Sequence, residues 1–185
     1  MRADAQKNVA AILDAATAVF AESGVDVPLQ RVADHAGVGV GTLYRHFPRR
    51  ADLIVAVMQH ELDECIEAVT GFGRTLAPWD ALTAAVDRFT VFVGTKQGFA
   101  AALHSGDPAY DGLPRLLLDR LDPSFDALRA RAIEDGAVRD ALTTRELLTA
   151  VALLCSPVPG ESSEFNARVV RVFVDGLRVS ARASA

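Results

Sequence analysis

Apolar residues recur at three- and four-residue steps along most of the chain, the period of a helix that buries one face. Val9, Ile12, Leu13, Ala16 and Phe20 predict a first helix that runs to Ser23 and stops at Gly24, while the polar stretch 1–7 reads as frayed. Leu29, Val32, Ala33 and Ala36 predict a second helix, with Pro28 at its first position and Gly37 as its stop. Leu43 and Phe47 lie four apart and predict a short third helix, and Leu53, Ile54, Val57, Met58, Leu62, Cys65 and Ile66 predict a fourth that ends near Val69. Gly71, Gly73 and Pro78 mark a break. Trp79, Leu82, Val86, Phe89 and Val93 then predict a fifth helix, with Phe92 alongside, and Phe99, Ala102 and Leu103 a short sixth. From Leu113 to Asp135 a longer pattern is interrupted by Pro123, which should kink or split it. Two further helices follow: one capped by Thr143 or Thr144 and carrying Leu147, Leu148, Val151, Leu154 and Cys155, and one with Phe165, Val169, Val172, Phe173, Gly176 and Leu177 on one stripe. Strand-like alternation is scarce, so the expected class is all-α, with about nine helices.

The stretch Ala36 to Phe47, AGVGVGTLYRHF, carries the clearest candidate chemistry. A glycine at Gly37 suits a turn between two helices, and on the short helix that follows only Leu43 and Phe47 share an apolar face. Thr42, Tyr44, Arg45 and His46 point elsewhere. Hydroxyl and imidazole groups can donate to phosphate oxygens, and a guanidinium can grip either a phosphate or a guanine edge with two parallel bonds. No acidic side chain occurs between Gly37 and Ala51, and Arg49 and Arg50 follow Pro48 where the next helix starts. The helix dipole disfavours cations there unless an anion faces them, and a phosphate would be that anion. Two arginines at a loop can equally serve only to keep a surface soluble. Gly37, Gly39 and Gly41 do not read as a dinucleotide-binding loop, because helix-patterned sequence precedes them where a buried strand is required.

Charge sharpens this picture. The formal total is −5, yet residues 1–60 hold six Lys or Arg against six Asp or Glu, so the net acidity lies in residues 61–185. Any contact with DNA is therefore expected to be local to the basic cluster at Arg45–Arg50 and sensitive to salt. Two cysteines far apart do not make a disulfide framework, no apolar run is long enough to cross a membrane, and the N-terminus has no signal-peptide core. A cytoplasmic protein without membrane partners is expected.

The first helix followed by a closely spaced pair makes a helix-turn-helix unit. The stretch GVDVPLQRVADHAGVGVGTLYRHFPRRADLIVAV, and above all its AGV-x-x-GTLY-x-HF core, resembles the N-terminal DNA-binding domain of the TetR family of transcriptional regulators over about residues 8–58. The resemblance implies a helix-turn-helix domain over residues 1–48 and a helical ligand-binding and dimerisation domain over 49–185, linked by a fourth helix at 49–70. It implies that Thr42, Tyr44 and His46 contact the DNA backbone, that Val40 and Arg45 face bases, and that Arg50 sits beside a phosphate. Two positions depart from the family pattern: Val27 precedes Pro28 where a capping residue is common, and Gly39 replaces a common Ser, leaving a backbone amide to serve. The resemblance further implies a small-molecule pocket, for which Phe89, Phe92, Phe99, His104 and Phe125 are the candidate lining; ordinary core packing is the competing reading of each. The last two apolar stripes resemble the helix pair through which the family dimerises, and could instead be buried within one subunit. The implied function is a homodimeric repressor that a small-molecule effector releases from a palindromic DNA operator.

The alternative is a module of the same fold that binds a small molecule or a protein and has lost DNA binding, which Val27, Gly39 and the acidic total make conceivable. An enzyme is not expected. His104, Ser105 and Asp107 are neighbours in sequence rather than a spatial triad, and no paired carboxylates stand out. HELDE at residues 60–64 has Glu64 where a zinc-protease motif needs its second His, so neither metal nor cofactor is expected.

Overall fold

The computed structural model describes residues 2–95, 99, 102 and 106–179. Among them are eight α-helices: α1 (Arg2–Ser23), α2 (Leu29–His35), α3 (Val40–His46), α4 (Arg50–Thr75), α5 (Pro78–Thr95), α6 (Leu113–Glu134), α7 (Thr144–Leu154) and α8 (Ser163–Asp175), with one 3-10 turn at Pro108–Tyr110. The described residues form no strand; an isolated antiparallel bridge joins Val138 and Arg178. The short sixth helix expected at Phe99–Leu103 falls mostly outside the described residues.

Three boundaries differ from the sequence expectation. The backbone is helical from Arg2, so the stretch read as frayed belongs to α1. Helix α4 continues to Thr75 through both glycines expected to end it. Gly73 has another role: a Cβ there would lie 2.8 Å from Leu128 Cδ2, and its carbonyl accepts from Arg131 Nη1, so the missing side chain lets α4 and α6 approach closely. Helix α6 runs through Pro123 without splitting.

The chain divides into two compact units. The first combines the chain up to Leu62 with the described residues of Thr95–Leu113. Its buried side chains include Ile12, Ala16 and Phe20 of α1, Leu29 and Val32 of α2, Leu43 of α3, and Leu53, Ile54, Val57 and Met58 of α4. Phe99 joins this core edge-on to Phe20, with ring centroids 5.8 Å apart.

The second unit takes Asp63–Gly94 and the chain from Pro114. Phe89 and Phe92 of α5 and Phe125 of α6 are fully buried there, with Phe89 5.7 Å from Phe125 and 6.2 Å from Phe92 between centroids. Helix α7 starts with a reciprocal cap: Thr143 Oγ1 accepts from the Glu146 amide, and the Thr143 amide donates to the Glu146 carboxylate. The Thr143 amide, and then the Thr143 hydroxyl, both donating to the Glu146 carboxylate, hold that carboxyl below its usual pKa. Asn166, a buried polar side chain on α8, donates from Nδ2 to the carbonyls of Leu154 and Ser156 and so ties α8 to the end of α7.

Candidate nucleic-acid interface

Helix α3 is set on α2 by a turn whose hydrogen bonds are all local. Gly37, at φ +67°, closes α2: its amide donates to Asp34 O and the Val38 amide donates to Ala33 O, the paired bonds of a Schellman stop. Gly39 then adopts extended backbone and opens α3 without a side-chain cap. Leu43 is the only fully covered residue of α3, and Phe47 just beyond it is also buried. These two side chains anchor the helix and leave its other face outward.

The outward face holds the polar residues singled out from sequence. Tyr44 is 50% exposed, Arg45 and His46 are exposed, and Thr42 and Val40 are half-buried. Among the described residues no hydrogen bond or ion pair engages the side chains of Thr42, Tyr44, Arg45 or His46, so their donors face solvent.

The neighbouring cations are arranged differently. Arg31 donates to Ser23 Oγ at 2.9 Å and to the Glu22 carboxylate at 2.6 Å. Arg49 pairs with Asp52, whose carboxylate also accepts the Arg49 amide at 3.1 Å. Those bonds lower the Asp52 pKa and raise that of Arg49. The anion expected opposite the basic start of α4 is thus already present within the chain for Arg49: it is Asp52, not a phosphate.

Arg50 reaches back to the loop between α1 and α2, and its Nη1 donates to the carbonyls of Val25 and Val27, the latter at 2.7 Å. Sequence reasoning missed this role, since the partners are backbone atoms 23 and 25 residues away. It accounts for the uncapped entry to α2. Pro28 takes the cap position, one residue earlier than expected, and offers no side-chain hydrogen bond. The preceding loop is held by the guanidinium and by burial of Val25 and Val27. A phosphate could reach only the Arg50 nitrogens that this clamp leaves over.

The residues expected to line a ligand pocket do not share one environment. Phe89, Phe92 and Phe125 pack on one another inside the second unit, whereas Phe99 packs on Phe20 in the first. His104 lies outside the described residues, as does Ser105.

The two C-terminal stripes also part company. On α7 the expected stripe is mostly interior, with Leu147, Leu148, Val151 and Cys155 buried, and burial raises the Cys155 thiol pKa. On α8 the buried side is Asn166, Val170 and Val174. The stripe read from sequence faces outward: Val172 is 72% exposed, and Phe165, Val169 and Phe173 are half-covered. Leu153 of α7, 68% exposed, is a second outward apolar side chain. No helix among the described residues is long and apolar enough to cross a membrane.

Comparison with known proteins bears on both halves. Residues 12–57 match the family model described as bacterial regulatory proteins, tetR family. Residues 77–179 match the model described as transcriptional regulator SbtR-like, C-terminal domain. A TetR transcriptional regulator from Streptomyces coelicolor has a similar structure, with a TM-score of 0.75 and 35% identity, covering 94% of this chain and 99% of that one. A TetR transcription regulatory protein from Mycobacterium vanbaalenii superposes with a TM-score of 0.74 at 30% identity, covering 96% and 99%. An HTH-type transcriptional regulator of Staphylococcus aureus is 44% identical over 64 residues, 34% of this chain. That match spans only about a third, 35%, of the curated relative's length.

Proposed function

The chain belongs to the TetR family of DNA-binding transcriptional regulators, and on that premise we propose that it is a homodimeric repressor released from a palindromic operator by a small molecule. The observation that carries the reading is the outward face of α3, where Thr42, Tyr44, Arg45 and His46 have no partners within the described chain while Arg31, Arg49 and Arg50 beside them are engaged. Thr42, Tyr44 and His46 bond phosphates, assisted by the Gly39 amide, and set the register of the helix in the major groove. Val40 and Arg45 meet base edges, with Arg45 supplying the bidentate contact. Arg50 acts chiefly by positioning: it holds the α1–α2 loop while any phosphate contact uses its remaining nitrogens.

One such helix makes few base contacts, and a twofold assembly places two of them about 34–36 Å apart, one turn of DNA. The outward stripe of α8 with Leu153 of α7 supports pairing through this face, since an apolar helix face uncovered by its own subunit is stabilised by a second copy. The effector enters the second unit by parting the rings of Phe89, Phe92 and Phe125. It weakens DNA binding by no more than the ratio of its affinities for the two conformations. The repressor works in the cytoplasm, on DNA and without catalysis.

Selection of bound duplexes from a random pool, with sedimentation of the free protein, tests the reading. A dimer and an enriched inverted repeat with half-sites one turn apart are expected. A monomer that enriches no sequence at low salt would reject it.

A further inference from the structure

In the second unit a cleft of about 380 Å³ lies between α4 and α6, lined by Thr70 and Gly73 from the first helix and chiefly by Ser124, Ala127, Leu128 and Arg131 from the second. Phe89, Phe92 and Phe125, proposed to admit the effector, are not among its described lining. Arg131 sets this cleft apart. Half-buried, it donates through Nη1 to the Gly73 carbonyl and forms no ion pair among the described residues. Glu134 and Asp135 follow it by three and four residues and Glu67 precedes Thr70 by one turn, yet none of them pairs with it. Other arginines of the same unit are matched: Arg88, Arg120, Arg129 and Arg145 pair with Glu64, Asp63, Asp140 and Asp119. A partly buried cation without a counter-charge is costly, and an anion in the cleft would offset that cost.

Gly73 seats the guanidinium. A Cβ there would lie 2.8 Å from Leu128 Cδ2 and 3.4 Å from Arg131 Nη1, so a side chain at this position would crowd both. With Nη1 held on the Gly73 carbonyl, the Nε–Nη2 edge is left without a partner among the described residues. That edge is one of the two-bond geometries in which a guanidinium takes a carboxylate. The two hydroxyls differ. Thr70 Oγ1 donates to the Ile66 carbonyl at 2.7 Å and cannot also donate to an anion, whereas the Ser124 hydroxyl makes no hydrogen bond among the described residues. The rest of the described wall, with Pro123, Ala127 and Leu128, is apolar. We propose that this cleft binds a compact organic carboxylate, held by the Nε–Nη2 edge of Arg131 and the Ser124 hydroxyl, with its apolar part on Pro123 and Ala127. One guanidinium matches a single negative charge, and a phosphate dianion would bring a second charge that no other cation of the described lining meets. The volume is at the lower end for ligand sites, which limits the occupant to a small molecule.

An isosteric series tests it: benzoate, the neutral benzamide and the cationic benzamidine, with inorganic phosphate as a fourth probe, titrated calorimetrically into the full-length protein without DNA. Benzoate is expected to bind with a dissociation constant of about 1 mM or lower, and at least about tenfold tighter than each of the other three. Arg131→Gln, which keeps a donor for the Gly73 carbonyl, should weaken benzoate at least about tenfold, and Ser124→Ala about threefold. Arg74→Gln, at an exposed position beside Gly73, should stay within about twofold, which separates a local contact from general attraction. Equal binding of benzoate and benzamide, no binding, unaltered benzoate affinity in both cleft variants, or a loss in Arg74→Gln as large as in Arg131→Gln overturns the proposal. Phosphate bound as tightly as benzoate overturns the choice of a carboxylate. Because no DNA is present, these outcomes are independent of whether the chain is a repressor.

Discussion

Helix α3 and the start of α4 are neighbouring basic stretches with opposite fates. Arg45 projects from a helix anchored by the buried Leu43 and the following Phe47, and it meets no anion among the described residues. Arg49 and Arg50, four and five residues later, are both satisfied inside the molecule, one by Asp52 and one by the carbonyls of Val25 and Val27. A run of arginine in a sequence therefore does not measure how much positive charge a surface offers to DNA. The fold decides, by whether an internal acceptor lies within reach.

The largest way to break this contrast is to remove the anchor beneath the displayed face. Leu43→Ala should destabilise the protein by about 2–5 kcal/mol in a denaturant titration, as expected for a fully buried leucine, and abolish DNA binding with it. Next comes the clamp. Arg50→Ala strands two carbonyls and should lower stability by about 1–3 kcal/mol, with DNA affinity falling on all sequences and the salt dependence nearly unchanged. A loss of affinity at unaltered stability, with a shallower salt slope, would mean that Arg50 serves mainly as a phosphate contact. Tyr44→Ala should weaken specific and random duplexes alike by up to about tenfold, the value of one hydrogen bond, and leave the melting temperature in place.

The smallest effect is on pH dependence. Asp52 and Glu146 are held below their usual pKa values, by the hydrogen bond from Arg49 and by the Thr143 amide respectively. The folded state therefore binds fewer protons at these sites than the unfolded one. Their contribution is complete above an unfolded pKa of about 4 and is lost as pH falls through the depressed folded values. Asp52→Asn with Glu146→Gln should lower stability slightly at pH 7, where the contribution is complete, and make the fall below about pH 5 shallower, so that the melting temperatures of variant and unmodified protein converge in acid.

How much of this was legible in the sequence follows the range of the interactions. Gly37 as a stop, Leu43 and Phe47 as anchors, and a threonine cap at Thr143 or Thr144 all depend on residues within one turn; the first three appear where the pattern places them, and the structure assigns the cap to Thr143. The Arg50 clamp spans more than twenty residues to backbone carbonyls, which carry no side-chain signature. Gly73 resembled a helix stop because the reason for it, Leu128, is on another helix. The phenylalanines looked equivalent by composition, yet Phe99 packs with Phe20 while Phe89 packs with Phe125. On α8, periodicity revealed an apolar stripe but could not distinguish a face buried within the chain from one facing outward.

The contrast between a displayed and a clamped arginine is tested most directly by fluorescence anisotropy of Arg45→Ala on its selected operator and on random duplex of equal length and salt. Loss of a bidentate base contact worth about 1–3 kcal/mol predicts roughly a ten- to hundredfold weaker operator complex, with random DNA bound within about twofold of the unmodified protein. Equal losses on the two duplexes, or none on either, would contradict the assignment of the α3 outer face to sequence recognition.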